Sequence, residues 1–432
     1  MSLRSFLLDD RQVERDAYIW NSLSSGLFAL QSLVMPVVAQ NRLGEDATGI
    51  LAIGAAWAFL FGCLGTFGVS RFQASDISRR FSFADYCWGR TLTVTAMWLV
   101  TAGFLVWQTT WGSYDAVKAG AIALMVGLKT VDVVEDTVLS FFQQHRRLDI
   151  GARACALRYL VTLVVFSLAT WILGDLIWAL VVTVAAALVS FVGLTALILH
   201  GFVDAAQRQA SPRQVGALVR ACLPMFIAWA LTAYINNAPK YAIDQRLDDV
   251  AQAHYTFLST PVFAISLVAS FLFNPLIARL AGLWLAGETN QFTRIAWRLF
   301  GLITAVGIAA ALVGYVFGLP VLSWIFQTDL GSFLPEFMIL LAAGWLVAVA
   351  GLLSTILTIV RRQTLLATGY ALVSVASLAV AGPWVGHQGL FGASLLYLAL
   401  TGALTIIFAS CVSVSLHRGQ PRASATSGPG TL

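Results

Sequence analysis

The stretch from Leu176 to Leu199 reads LIWALVVTVAAALVSFVGLTALIL and contains no charged side chain. A helix needs about 20 residues to cross the roughly 30 Å hydrocarbon core of a bilayer. A soluble helix of this length would keep a polar face for water, and Thr183, Ser190 and Thr195 are too few to make one. The segment is expected to lie in lipid. Windows of about 19 residues find similar segments near 18–40, 49–69, 91–110, 118–140, 158–174, 219–238, 254–277, 299–318, 335–360, 364–383 and 389–414. With 176–199 they make twelve. The second is interrupted by Gly62, Gly65 and Gly68, and the fourth carries charge.

Composition agrees. Of 432 residues, 59% are hydrophobic and only 11% charged, against about 25% charged in soluble domains, and the mean hydropathy is +0.81. The expected fold is an all-α integral membrane protein of about 12 transmembrane helices. If the N-terminus is cytoplasmic and the spans alternate, 21 of the 26 basic residues fall on the cytoplasmic side. The exceptions are Arg42, Lys118, Lys129, Lys240 and Arg246. That is the positive-inside pattern, so both termini are expected in the cytoplasm. The net charge of +5 comes from these loops and is no argument for nucleic-acid binding. Residues 1–17 carry both signs of charge and no small-residue cleavage site follows the first apolar run, so the first span is expected to be retained. Five cysteines (Cys63, Cys87, Cys155, Cys222 and Cys411) lack the paired spacing of a disulfide framework or zinc site.

A short repeat divides the chain. Asn41-Arg42-Leu43-Gly44-Glu45-Asp46-Ala47-Thr48-Gly49 follows the first span, and Gln245-Arg246-Leu247-Asp248-Asp249-Val250-Ala251-Gln252-Ala253 follows the seventh, 204 residues later. Arg-Leu, Ala and an acidic residue recur in step. Two parallel six-helix halves are a transporter architecture, with the site between them. The expected organisation is a cytoplasmic segment 1–17, a first bundle 18–200, a linker 201–218, a second bundle 219–416 and a disordered tail 417–432. An interfacial helix is expected within 278–298, and kinks at Pro224 and Asn274-Pro275.

Ionisable groups inside spans are costly and mark function by default. The fourth span holds Lys129, Asp132, Glu135 and Asp136, and i,i+3 and i,i+4 spacing gathers them on one stripe. Two readings stand: a carboxylate cluster that binds a proton or cation beside an anion-attracting lysine, or a salt-bridged stripe near the cytoplasmic interface. In the seventh span Asn236-Asn237-Ala238-Pro239-Lys240 would loosen the helix and free carbonyls, with Lys240 offered to a phosphate or snorkelling at a helix end. Arg90, Arg158, Arg220 and Arg298 open spans on the cytoplasmic side, either as anchors or as a basic funnel, and Arg71 stands at the inner end of the second span. His145, His200, His254, His387 and His417 share no ligand spacing. There is no HExxH, GxSxG or P-loop, so an enzyme or an ATP-driven pump is not expected.

Gln31…Asn41-Arg42-Leu43-Gly44…Gly49, Phe67-Gly68…Arg71-Phe72-Gln73-Ala74-Ser75-Asp76…Tyr86…Arg90, Val131-Asp132…Glu135-Asp136…Gln143-Gln144…Arg147-Leu148-Asp149…Arg158, Asn237-Ala238-Pro239-Lys240-Tyr241-Ala242-Ile243-Asp244 and Pro261-Val262-Phe263…Pro275-Leu276 together resemble a known family. They are similar to the bacterial polysaccharide biosynthesis membrane proteins, the O-antigen and capsule repeat-unit flippases of the multidrug/oligosaccharidyl-lipid/polysaccharide exporter superfamily. The resemblance covers roughly residues 18–360. It implies a V of helices 1–6 and 7–12 in the bacterial inner membrane, and an undecaprenyl-pyrophosphate-linked oligosaccharide as cargo. Glycan polymerase and glycosyltransferase machinery are implied partners. Cavity cations would meet the pyrophosphate, which suits Lys129, Lys240 and Arg71, with Asn236 and Asn237 completing the expected contact set. Asp132, Glu135 and Asp136 suit coupling to H+ or Na+, with no other cofactor and no metal. Few basic residues lie deep in the spans, which favours a neutral repeat unit. The rivals are a multidrug/cation antiporter of the same superfamily, and a membrane-embedded glycan ligase or polymerase.

Overall fold

The computed structural model describes residues 7, 12–76, 79–199, 202, 209–273 and 276–417. Among them, ten helices are long and apolar enough to cross a membrane. The helix Ala116–Gln144 is not one of the ten, because it carries the four-charge stripe, yet its 29 residues are long enough to span. The 55-residue helix Gln363–His417 is two crossings, since Gly389 turns the chain with φ 59° and ψ −138°, a backbone shape that glycine adopts without strain. Counting the charged helix, and the bent one twice, gives twelve.

The spans are α1 (Val13–Leu43), α2 (Glu45–Thr66), α3 (Phe83–Thr110), α4 (Ala116–Gln144), α5 (Leu148–Leu173) and α6 (Leu176–Leu199). The second set is α7 (Pro212–Arg246), α8 (Asp249–Phe273), α9 (Thr289–Phe326, with a π turn at Gly314–Gly318), α10 (Leu334–Ile359), and α11 and α12 on either side of Gly389. Several helices run past their apolar windows. α3 starts at Phe83, α5 at Leu148 and α9 at Thr289, while α7 extends from Pro212 to Arg246. Hydropathy stops at the first charge, but a helix continues past it, with the charge either paired inside the protein, as Arg158 is in α5, or left exposed, as Arg294 and Arg298 are in α9. Local signals set the ends. Ser82 and Asp85 form a capping box at α3, and Gly174 closes α5 in the left-handed region.

Three expectations change in detail. Gly62 and Gly65 leave α2 intact, and the break falls at Phe67 and Gly68, both left-handed, before a short helix Val69–Ser75. Only Ile277–Leu285 is a separate short helix, because residues from Thr289 onward belong to α9. The sequence around Asn236 and Asn237 does not unwind α7, which stays helical through Pro224 and Pro239. Asn274-Pro275 and the tail beyond His417 lie outside the described residues.

The two halves repeat each other. α1 packs on α5 as α7 packs on α11–α12, and α2 packs on α4 as α8 packs on α10. α2 begins at Glu45 and α8 at Asp249, the same 204-residue step as the sequence repeat. Even the repeated arginines act alike: Arg42 donates to the Trp171 carbonyl at the end of α5 (3.3 Å), and Arg246 lies against Gly382 and Gly386 of α11. One apolar core runs from Met35 to Ala187 and a larger one from Ile235 to Val412.

α2, at the centre, packs across the divide on α7 and α8. At the arginine-poor face the halves are tied by polar contacts. Lys118 Nζ meets Asp244 at 2.8 Å and Asp249 at 2.6 Å, and the Tyr114 hydroxyl donates to Asp244. Burial, then the Asp244 carboxylate, push that hydroxyl well above the usual phenol range, so it remains a donor. Gln40 Nε2 donates to Thr328 Oγ1 (2.8 Å), which donates to Glu45 (3.1 Å), and His254 lies 3.3 Å from Glu45. At the arginine-rich face, Ser82 Oγ donates to the Gln209 carbonyl (2.7 Å) and Ser211 N–H to Asp85 (2.8 Å).

Candidate functional site

Between the halves lies a cavity of about 230 Å³. α1 lines it with Phe28, Gln31, Ser32 and Met35, α2 with Ala55 and Phe59, α4 with Lys129 and Asp132, α7 with Lys240 and α8 with Thr256. Lys129 reaches it because Gly62 has no side chain: a Cβ there would stand 2.8 Å from the Lys129 Cγ. The ammonium sits 3.3 Å from Asp132 Oδ2 and over the Phe28 and Phe59 rings, at 5.2 and 5.9 Å from their centres. Lys240 enters from the other half, and among the described residues no carboxylate pairs with it. Gln31 is only 8% exposed, and its Nε2 has no partner among the described residues. A buried amide donor and a lysine without a carboxylate partner, both lining one mostly apolar hollow, leave donors for an anionic or oxygen-rich ligand.

Behind the cavity the stripe on α4 is held by two buried arginines. Arg158 of α5 donates Nε to Glu135 (2.7 Å) and Nη2 to Asp132 Oδ1 (2.8 Å). Arg90 of α3 donates to the Thr137 hydroxyl (2.8 Å), the Thr66 carbonyl (2.9 Å) and the Ser70 hydroxyl (2.6 Å). Asp136 lies beside Ser70 in the field of Arg90. The two residues are 0% and 3% exposed, so the anchor and funnel readings both fail for them. They are counter-charges inside the protein.

The expected residues therefore part company. Lys129, Lys240 and Asp132 share the main cavity. Glu135 is buried against Arg158 and takes no part in its lining. Asp136 and Arg71 meet in a second hollow of about 120 Å³ with Ser70 and Trp229, where the Arg71 guanidinium lies 4.0 Å from the Trp229 ring centre. Asn237 donates to the Ala233 carbonyl of its own helix (3.1 Å), and Asn236 is exposed. Neither lines the cavity. Sequence reasoning gave no role to Gln31 or Thr256, although a glutamine in mid-span is itself a signal. It also missed Arg158 as the partner of α4, because nothing in spacing links two residues 26 apart on different helices.

Residues 16–281 match the family model described as polysaccharide biosynthesis protein. The chain belongs to that family. Every cavity residue named above falls within the matched region. No curated protein matches the chain by sequence. By structure it is similar to the lipid II flippase MurJ in an inward closed conformation, at 11% identity and TM-score 0.69, over 93% of this chain and 89% of that one. It is also similar to an inward-facing multidrug resistance MATE family transporter of the MOP superfamily, at 13% identity and TM-score 0.63, over 90% and 94%. A MOP superfamily transporter from Pyrococcus furiosus gives 12% identity and TM-score 0.57, over 97% and 98%. The family member thus has the fold of these transporters and this flippase, and its twelve spans fit that fold.

Proposed function

We propose that this protein is a flippase that moves a lipid-linked oligosaccharide, an undecaprenyl-pyrophosphate repeat unit, across the bacterial inner membrane by alternating access. The observation that supports the reading is Lys240, a lysine with no carboxylate partner among the described residues, which lines the same cavity as Lys129 where the two halves meet. A lysine held in a membrane cavity without a carboxylate is costly unless the ligand supplies negative charge, and a diphosphate supplies it. The positive-inside pattern supports a cytoplasmic position for the arginine-rich face and both termini, which would make the Lys118 cluster the closure of the outer side. Coupling to H+ or Na+ falls to Asp132, with Glu135 and Asp136 behind it. Polymerase and glycosyltransferase machinery would act on either side of this step.

The rival antiporter expects a carboxylate-lined cavity without an unpaired cation, which Lys240 opposes. The test is surface polysaccharide in a null strain complemented with Lys240→Ala or Lys129→Ala. Loss of glycan with normal membrane expression is the expected result. Full restoration by both variants would remove the anion-site assignment, and restored drug resistance without a glycan phenotype would favour the antiporter.

A further inference from the structure

A larger cavity, of about 590 Å³, lies within the second half between α9, α10 and α12. One wall runs from Thr289 to Phe300 of α9 and the other from Thr405 to Leu416 of α12, over a floor that includes Leu352 and Ile356 of α10. At 1.5 Å per residue each wall is about 16 Å long, the depth of one leaflet of a roughly 30 Å hydrocarbon core. The groove is apolar apart from a few hydroxyls. The deepest, Thr405 Oγ1, already donates to the Thr401 carbonyl at 2.8 Å, so an apolar chain can lie against it. In the first half the matching helices leave less room. Phe83 of α3, Phe141 of α4 and Leu194 and Ile198 of α6 share one cluster, in which Leu7 is fully buried. Between α3 and α4 only a hollow of about 270 Å³ remains, with no residue of α6 in its lining. The second half has no such filling from its own chain. Phe202, ahead of α7, packs on the first half with its ring centre 5.3 Å from that of Phe142, and after His417 the sequence holds no large apolar residue before Leu432.

We propose that this groove holds one acyl chain of an anionic glycerophospholipid, with the lipid phosphate among the arginines at its mouth. The exposed charges there are nearly all of one sign. Arg294 and Arg298 follow the wall residues Thr293 and Trp297, and Arg361 and Arg362 follow the end of α10. Glu288 is the one carboxylate between Ile277 and Phe300, and the sequence has none after Glu336. Basic clusters between helices at a membrane face recognise anionic head groups, and arginine pairs with phosphate through two parallel hydrogen bonds. Trp297, 66% exposed beside the mouth, has the amphipathic ring found at head-group level. The chain itself replaces the packing contacts that an empty groove forfeits and joins α9 to α12. The groove ends after one leaflet, which suits an acyl chain rather than the much longer undecaprenyl chain. No residue of it lines the cavity between the halves, so the lipid site stands or falls independently of the cargo site.

The test is native mass spectrometry of the full-length protein, stripped of lipid in detergent and titrated with dioleoyl phosphatidylglycerol or dioleoyl phosphatidylethanolamine. The two lipids share their chains and differ in head-group charge. The wild type should hold one phosphatidylglycerol about tenfold more tightly than phosphatidylethanolamine, and its melting temperature should rise as that lipid binds. Ala409→Phe places a ring in the groove and should lose both the tight site and the rise. Arg294→Gln with Arg361→Gln, on the exposed rim, should bring phosphatidylglycerol down toward the level of phosphatidylethanolamine while leaving the lipid-free melting temperature unchanged. The rim variant is read without disturbing the packed helices, so a failure of Ala409→Phe to fold leaves the test intact. Equal retention of the two lipids by the wild type would overturn the proposal, as would tight phosphatidylglycerol binding undiminished in either folded variant. Displacement of phosphatidylglycerol by an equal concentration of undecaprenyl phosphate would assign the groove to the cargo's tail and overturn it too.

Discussion

Lys118 joins the two halves at the arginine-poor face, and removing its charge should open that face. Its side chain is 12% exposed and that of Asp244 1%. Breaking a buried pair by deleting one partner costs about 3–5 kcal/mol, since the remaining charge is left uncompensated. The Tyr114 hydroxyl still donates to Asp244, which argues for the lower end. The second pair adds little, because Asp249 is 25% exposed and pairs that water reaches contribute at most about 1 kcal/mol. Lys118→Met, which keeps the stem, should therefore weaken the closed arrangement by roughly 3 kcal/mol. That is a shift of about 100-fold in the ratio of closed to open molecules. The cost falls on the closed form alone, since in an open form water solvates both carboxylates. Trp111 and Trp324 are 79% and 80% exposed at this face, one in each half, and suit spin labels on a background without native cysteines. Electron–electron distance measurements should show a longer, broader population in Lys118→Met and the original distance in Lys118→Arg. An unchanged distance in folded Lys118→Met would refute the reasoning, because it would mean that the apolar contacts of α2 with α7 and α8 close the face unaided.

Other changes test the supports of the site. Arg158→Met leaves Glu135 and Asp132 without their arginine and should cost about 3–5 kcal/mol, read as a lower melting temperature in detergent; adding Glu135→Gln should restore part of it, and failure to do so would count against the pairing. Gly49→Ala would drive a methyl into the Asp249 carbonyl, where α2 crosses α8, costing about 1–3 kcal/mol as overpacking; the same label pair should report separation, whereas an unchanged distance and melting temperature would mean that the crossing yields. Gly62→Ala places a methyl 2.8 Å from the Lys129 stem and should weaken pyrophosphate binding with little loss of stability, because a flexible side chain rather than backbone has to move.

What the sequence reveals and what it hides follow from the range of the forces involved. Spans such as α6 are legible because apolar length is a local property. The repeat is legible because Arg42 and Arg246 stand in matching turns, against α5 and α11, and both turns read Arg-Leu. Helix ends are less legible: α5 starts at Leu148, inside a segment that reads as a charged loop. There the charge on Arg153 is met by Asp16 of α1 at 2.5 Å, a contact across 137 residues. The same limit applies to the site. Lys129 and Asp132 meet within one helix at i,i+3, so pattern alone places them together. Lys240 joins them only through the packing of the two halves.

The fourth span shows how these ranges combine. Its charge rather than its hydropathy sets it apart, since a lipid-facing position would cost several kcal/mol for each of the four charges in the stripe. Arg158 from α5 and Arg90 from α3 enter from flanking helices and compensate the carboxylates that point away from the cavity. That leaves Lys129 and Asp132 on the side where the halves meet. A stripe of this kind is stable in a membrane only if its neighbours bring opposite charge, and here they bring it from behind, so the one ion pair free to exchange partners is the pair facing the cavity. The structural reading and the functional reading of the stripe therefore describe different residues of the same helix: Glu135 and Asp136 hold the first half together, and Asp132 with Lys129 is what a passing anion would disturb.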